Sequence, residues 1–276
     1  MIYYENHNGE RIDLDSGGIR IVEENIRNYT WNYAVANRPG GFGGRVKQFT
    51  RPVSTREMTV VSRGGSRAAC ISQLNTLHAL TETDVMENAN GLLWWDGQYI
   101  QCFLSTASEI TEWERGFHYA KKKLTVLLIE PYWVTETKQT FTPEPETMQY
   151  GKRYPLRFPY RYGTGYSNKT LYNSHYAAAP MRISIFGAAV NPAIIIGGNL
   201  YEVACPLLGN ERIEIDQIRK TITKIDSGGY TYNLFNARNK ASDIFTPCPA
   251  GAVPVQFSGL TFDITLIQQR SEPLWT

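Results

Sequence analysis

Residues 191–275 run as short stretches of alternating apolar and polar side chains, cut by turn residues at near-regular intervals. Ala193-Ile194-Ile195-Ile196 meets Gly197-Gly198-Asn199 and leaves as Leu200-Tyr201-Glu202-Val203. Gly209-Asn210 opens Arg212-Ile213-Glu214-Ile215-Asp216, and Asp226-Ser227-Gly228-Gly229 parts Thr221-Ile222-Thr223 from Tyr230-Thr231-Tyr232-Asn233-Leu234. Val253-Pro254-Val255-Gln256-Phe257 and Leu260-Thr261-Phe262-Asp263-Ile264 hinge at Ser258-Gly259. A period of two buries one face of a strand and leaves the other to water or a partner. Turns spaced roughly 8–12 residues apart are the pattern of an antiparallel sandwich. This third of the chain is therefore predicted to be all-β.

A length of 276 residues exceeds one ordinary domain, and two domains of about 140 residues each can bury separate cores. The polar, Pro-containing stretch 135–145 reads as a linker or edge strand. It places the expected boundary between residues 1–136 and 137–276. Lys and Arg total 28 against 26 acids, a net charge of +2, a balance that argues against nucleic acid or an anionic membrane as the main partner. Cys70, Cys102, Cys205 and Cys248 lack paired spacing and are expected to be free thiols. The opening Met1-Ile2-Tyr3-Tyr4-Glu5-Asn6 shows no export signal, and no apolar run is long enough to span a bilayer. On that reading the sequons at Asn28 and Asn168 are incidental.

The first half begins with a hairpin, in which His7-Asn8-Gly9 joins Ile2-Tyr3-Tyr4 to Arg11-Ile12-Asp13-Leu14. Ile19-Arg20-Ile21-Val22 and Tyr29-Thr30-Trp31-Asn32-Tyr33 are further strand candidates. Gly40, Gly41, Gly43 and Gly44 then surround Phe42. A phosphate-cradling loop would end in Gly-Lys-Ser/Thr or lead directly into a helix. Arg45-Val46-Lys47-Gln48-Phe49 instead reads as a strand, so the glycine stretch is expected to be an exposed tip that meets a neighbour. Ser66 caps a helix predicted over 67–80, with Cys70, Leu74 and Leu77 as its apolar stripe and His78 on its flank. Residues 81–84 are weak helix formers, and the helix is expected to end or restart there. Asp96-Gly97 turns Gly91-Leu92-Leu93-Trp94-Trp95 back into a second strand. Lys121-Lys122-Lys123 reads as the guard of a strand edge.

Between 150 and 176, Lys152, Arg153, Arg157 and Arg161 are interleaved with Tyr150, Tyr154, Phe158, Tyr160, Tyr162 and Tyr166. Such a pattern can stack on single-stranded nucleic acid or on sugar rings. Its plain reading is tyrosine-rich sandwich strands with an exposed loop. No catalytic constellation appears. His7, His78, His118 and His175 are far apart, and no metal-spaced cluster or nucleophile motif accompanies them. No enzyme, cofactor or metal is expected, although paired carboxylates can meet in space without a sequence signature.

The order of parts resembles the distal tail proteins of long-tailed bacteriophages. The likeness rests on the succession of hairpin, strand, glycine loop, strand, helix and the second hairpin in the first half. It continues in Asn191-Pro192-Ala193-Ile194-Ile195-Ile196-Gly197, Gly209-Asn210-Glu211-Arg212-Ile213-Glu214-Ile215-Asp216, Ser227-Gly228-Gly229-Tyr230 and Phe262-Asp263-Ile264-Thr265-Leu266. The resemblance implies a small N-terminal β-barrel with a packed helix and a C-terminal galectin-like β-sandwich. It implies a six-copy ring at the virion tail tip, assembled in the bacterial cytoplasm. That ring joins the tail tube to a tail-tip hub or tail-associated lysin and to a receptor-binding protein or fibre. Gly40, Gly41, Phe42, Gly43 and Gly44 are then the candidate ring contact, together with exposed parts of the helix. Tyr160, Tyr162, Tyr166, Tyr230 and Tyr232 are candidates for an outward partner. The alternative is a carbohydrate-binding sandwich without activity, in which Tyr230, Tyr232 and Asn233 would form the sugar platform.

Overall fold

The computed structural model describes residues 1–108, 119–143 and 167–275. The chain divides into two compact units, Met1–Thr135 with Gln269–Thr276, and Glu136–Gln268. The second unit is thus inserted in the first. The fold is mainly β, with one α-helix among the described residues.

In the first unit, β1 (Ile2–Glu5), β2 (Arg11–Asp13) and β3 (Ile19–Glu24) are followed by a detached hairpin, β4 (Asn32–Asn37) and β5 (Gly44–Thr50). Then come β6 (Ser54–Arg63), helix α1 (Arg67–Glu87), β7 (Gly91–Trp95), β8 (Gln98–Ala107) and β9 (Tyr119–Leu128). Hydrogen-bonded neighbours follow the order β2-β1-β7-β8-β9-β6-β3, every pairing antiparallel. The two ends of this run approach each other at Leu14. Its N–H donates to Ile2 O at 2.9 Å, and its carbonyl accepts from Ile21 N–H at 3.0 Å. The sheet therefore curls toward a barrel. A bulge in β8 between Leu104 and Thr106 adds to the bend. Tyr4, Leu14, Met58, Val60, Leu77, Leu93, Ile100, Val126 and Trp133 fill its interior.

Ser66 caps α1, its Oγ accepting from Ala69 N–H. The helix does not stop at Leu80. Thr81 and Asp84 are buried with Cys70, Leu74, Leu77 and Leu80, and the last turn closes on left-handed Asn88. Tertiary bonds to Asp84 overcome the weak local propensity. The lysine run also departs from expectation. β9 lies between β6 and β8 instead of at an edge, and Lys121 and Lys123 pair with Glu23 of β3 and Glu57 of β6. All four cysteines are free thiols. Burial pushes Cys102 up to about 12 and Cys248 up to about 11.

The stretch expected to be a linker or edge is largely strand β10 (Trp133–Phe141). The second unit continues with β11 (Ser167–Asn173), β12 (Met181–Phe186), β13 (Ala193–Ile196), β14 (Asn199–Glu202), β15 (Arg212–Asp216), β16 (Thr221–Ile225) and β17 (Thr231–Asn233). It ends with β18 (Gly251–Phe257) and β19 (Thr261–Arg270). One sheet runs β17-β16-β15-β12-β19-β10, and the other, four-stranded, runs β11-β18-β13-β14. Their alternate side chains meet in one core: Ile183, Ile185, Ile213, Ile215 and Ile264 from the first sheet, Leu171, Ile194, Val253 and Val255 from the second. Phe141 stacks on Phe262 at 5.0 Å, and Phe257 meets Phe262 edge-on at 4.9 Å. This is the sandwich that the period-two pattern predicts.

Candidate interaction surface

Among the described residues β4 and β5 pair with each other and with no other strand. Their register places Tyr33 opposite Phe49 and Val35 opposite Val46, with an irregularity between Ala34 and Val35 that accommodates Lys47. Across an antiparallel pair, directly opposed residues share a face. One face of the hairpin thus carries Trp31, Tyr33, Val35, Val46 and Phe49, while the other carries Asn32, Ala34, Ala36, Arg45 and Gln48. Among the described residues this apolar face is largely open, with Tyr33 68% and Phe49 58% exposed. Trp31 meets Phe49 edge-on at 6.5 Å along that face.

The structure brings the five glycine-loop candidates together at the far end of this arm. Arg38 N–H donates to Gly43 O at 3.3 Å, closing the tip. Gly40 and Gly43 have φ of 73° and 84°, which a side chain would strain. A methyl on Gly44 would strike Val35 and the Ala36 carbonyl. Phe42, between them, is wholly exposed. The sequence also suggested a strand beginning at Tyr29, but β4 begins at Asn32. Tyr29 and Trp31 instead join Tyr132 around the Arg51 guanidinium, at 5.9, 5.7 and 4.8 Å from its carbon. Burial lowers the Arg51 pKa. This cation in an aromatic nest anchors the base of the arm, a feature that no short motif reveals because its members are scattered over a hundred residues.

Helix α1 exposes Ile71, Val85 and Met86. His78 sits on the flank, paired with Glu82 at 3.3 Å. A groove of about 180 Å³ runs beside it, lined by Leu74, Leu77, His78, Glu82, Leu104 and Lys122. Among the described residues there is no group of three potential metal ligands, and no helix is long and apolar enough to cross a membrane.

In the second unit Tyr230 and Tyr232 are both exposed, beside and on β17. Tyr160, Tyr162 and Tyr166 lie outside the described residues. The polar groups near the tyrosine pair are already engaged. Asp226 accepts from Gly228 N–H at 2.8 Å, Tyr230 N–H at 3.0 Å and the Tyr232 hydroxyl at 3.1 Å. Lys224 pairs with Glu211 at 2.7 Å. That ion pair raises the lysine and lowers the glutamate. Asn233 accepts from Phe235 N–H.

No family model and no curated protein matches the sequence. Solved structures do match in fold. The crystal structure of SPP1 Dit (gp 19.1), described as a paradigm of the hub adsorption apparatus in phages infecting Gram-positive bacteria, superposes with a TM-score of 0.62 at 12% identity, over 98% of this chain and 99% of that one. A chain of the phage P2 baseplate in its activated conformation with Ca gives a TM-score of 0.64 at 11% identity, over 99% and 100%. The same baseplate with Sr gives 0.63 at 12%, over 99% and 100%. Both units of this chain share the architecture of those proteins.

Proposed function

We propose that this chain is a structural hub protein of a phage tail tip, a distal tail protein that forms a ring between the tail tube and the adsorption apparatus. One observation carries the reading beyond fold likeness: among the described residues the β4–β5 arm presents a largely exposed apolar face, with Tyr33 and Phe49 at its centre. A two-stranded hairpin is marginal in water unless something covers its apolar face. A partner surface that recurs on each identical copy gives a head-to-tail contact, and a closed rotation turns that contact into a ring. Phe42 and the glycines at the tip, with the apolar arm face behind them, form the contact, and exposed parts of α1 belong to the same interface.

Six copies make the ring, the number the family resemblance implies. The first unit makes the ring. The second points toward the tail-tip hub or tail-associated lysin and a receptor-binding protein or fibre, with Tyr230 and Tyr232 as part of that outward contact. The ring belongs to the virion and assembles in the host cytoplasm. Its role is mechanical, and no catalytic step is assigned to it. The experiment is Phe42→Asp followed by light scattering. Loss of the assembled species with an unchanged melting profile supports the arm contact. Undiminished assembly removes the arm from the interface.

A further inference from the structure

Gln98, the first residue of β8, is buried, yet its side-chain amide contacts a backbone 176 residues away. Its Oε1 accepts from Leu274 N–H at 2.9 Å, and its Nε2 donates to Leu274 O at 3.2 Å. A side-chain amide bonded to both polar groups of one residue reproduces the pairing that a neighbouring strand would offer. Thr135 Oγ1 stands 3.5 Å from the same Oε1 and helps to orient it. Trp95 is the direct cross-strand partner of Gln98. The Arg27 guanidinium carbon lies 4.7 Å from the Trp95 ring and 5.2 Å from the Trp275 ring, so that one cation serves two indoles. Glu24 fixes Arg27 through Nε at 2.6 Å. Pro273 is buried, and Trp275 Nε1 donates to Glu272 at 3.2 Å, which holds the segment in its bend. All of these residues belong to the first unit.

We propose that Gln98, Arg27 and Trp95 form a peptide-binding slot that reads a short Glu-Pro-Leu-Trp segment, and that residues 271–275 are its occupant in cis. The recognition is built: a bidentate amide reads backbone, and a cation close to both indoles reads the tryptophan. The occupant follows β19, which runs beside β10 within the second unit. There Asp263 accepts from Thr140 at 2.6 Å and pairs with Lys138 at 2.7 Å. Entry and exit strands of the inserted unit are thereby tied together, and folding of that unit delivers the occupant to the slot. The slot is filled only when the insertion has closed.

The chain is shortened to end at Arg270, and a fluorescent peptide Ser-Glu-Pro-Leu-Trp-Thr is titrated in, read by anisotropy. Saturable binding to the shortened chain, absence of binding to the full-length chain, and at least about a tenfold loss with Gln98→Leu are expected, because two backbone bonds are removed. A folded shortened chain that fails to bind, or that binds equally well with Gln98→Leu, overturns the proposal. If the shortened chain does not fold, amide exchange in the full-length chain decides. Leu274 should exchange at least about tenfold faster in Gln98→Leu, with Ile183 in the second unit unchanged. Equal exchange at Leu274 rejects the slot.

Discussion

The Tyr4 hydroxyl donates to the Asp84 carboxylate at 2.5 Å, joining the first strand to the last turn of the helix inside the barrel. Asp84 is wholly buried and also accepts from His7 N–H at 2.9 Å. Gly91 is required beside this pair, because a methyl there would collide with both the Tyr4 hydroxyl and the Asp84 carboxylate. Burial, foremost, raises the Tyr4 pKa and keeps the phenol a donor. Asp84→Ala strands the buried Tyr4 hydroxyl and deprives the part-buried His7 of its backbone and ring bonds, and a loss of about 2–4 kcal/mol is expected in urea unfolding of the first unit.

His7 adds a pH dependence to the same junction. Its Nδ1 lies 2.6 Å from Asp84 and its Nε2 2.8 Å from Glu87. The hydrogen bond to Asp84, with that to Glu87 behind it, raises the His7 pKa, opposed by desolvation. Folding therefore favours the protonated ring. The stabilisation is complete below the unfolded value of about 6.5 and fades as pH climbs through the raised folded value. Melting temperatures of wild type and His7→Gln should differ most near pH 6 and converge toward pH 9. A gap that widens with pH would contradict this sign.

Asp96 and Gly97 have φ of 47° and 79°, the positive pair that a tight hairpin turn between β7 and β8 demands. A Cβ on Gly97 meets nothing within 4 Å, so the cost of substitution is conformational alone. Gly97→Val should destabilise the first unit by about 1–3 kcal/mol. Gly97→Asn, which tolerates this region, should cost less. Equal melting temperatures for wild type and the valine variant would show that the turn carries no strain.

The sandwich was legible because Ile213, Ile215, Ile183 and Ile185 alternate with polar residues, and a period of two has a single structural meaning. Asp96-Gly97 was legible for the same reason: the dipeptide names its own turn. Residues 81–87 were not. Helix propensity is local, whereas Asp84 is held by Tyr4 and His7 from the far end of the sequence. The arm was half legible. Its glycines and Phe42 marked an exposed tip, but the apolar face depends on the register of Tyr33 against Phe49, and the nest around Arg51 depends on Tyr132. The slot at Gln98 left no trace in the sequence, because a glutamine that reads backbone looks like any other glutamine.

The tyrosines of the second unit separate the hub reading from the sugar-binding one. A sugar site requires free donors and acceptors beside an aromatic platform, but Asp226, Glu211 and Lys224 are bound to one another or to the loop. A glycan array probed with the full chain is expected to show no specific signal. A saturable hit abolished by Tyr230→Ala would support the carbohydrate-binding alternative.

Native mass spectrometry of the purified chain decides whether it forms a ring. Six copies of a 31.3 kDa chain give about 188 kDa (6 × 31.3 kDa). A dominant species at that mass is expected in wild type, replaced by monomer in Phe42→Asp. A wild-type spectrum holding only the 31.3 kDa monomer at concentrations where the protein is folded and soluble would contradict it.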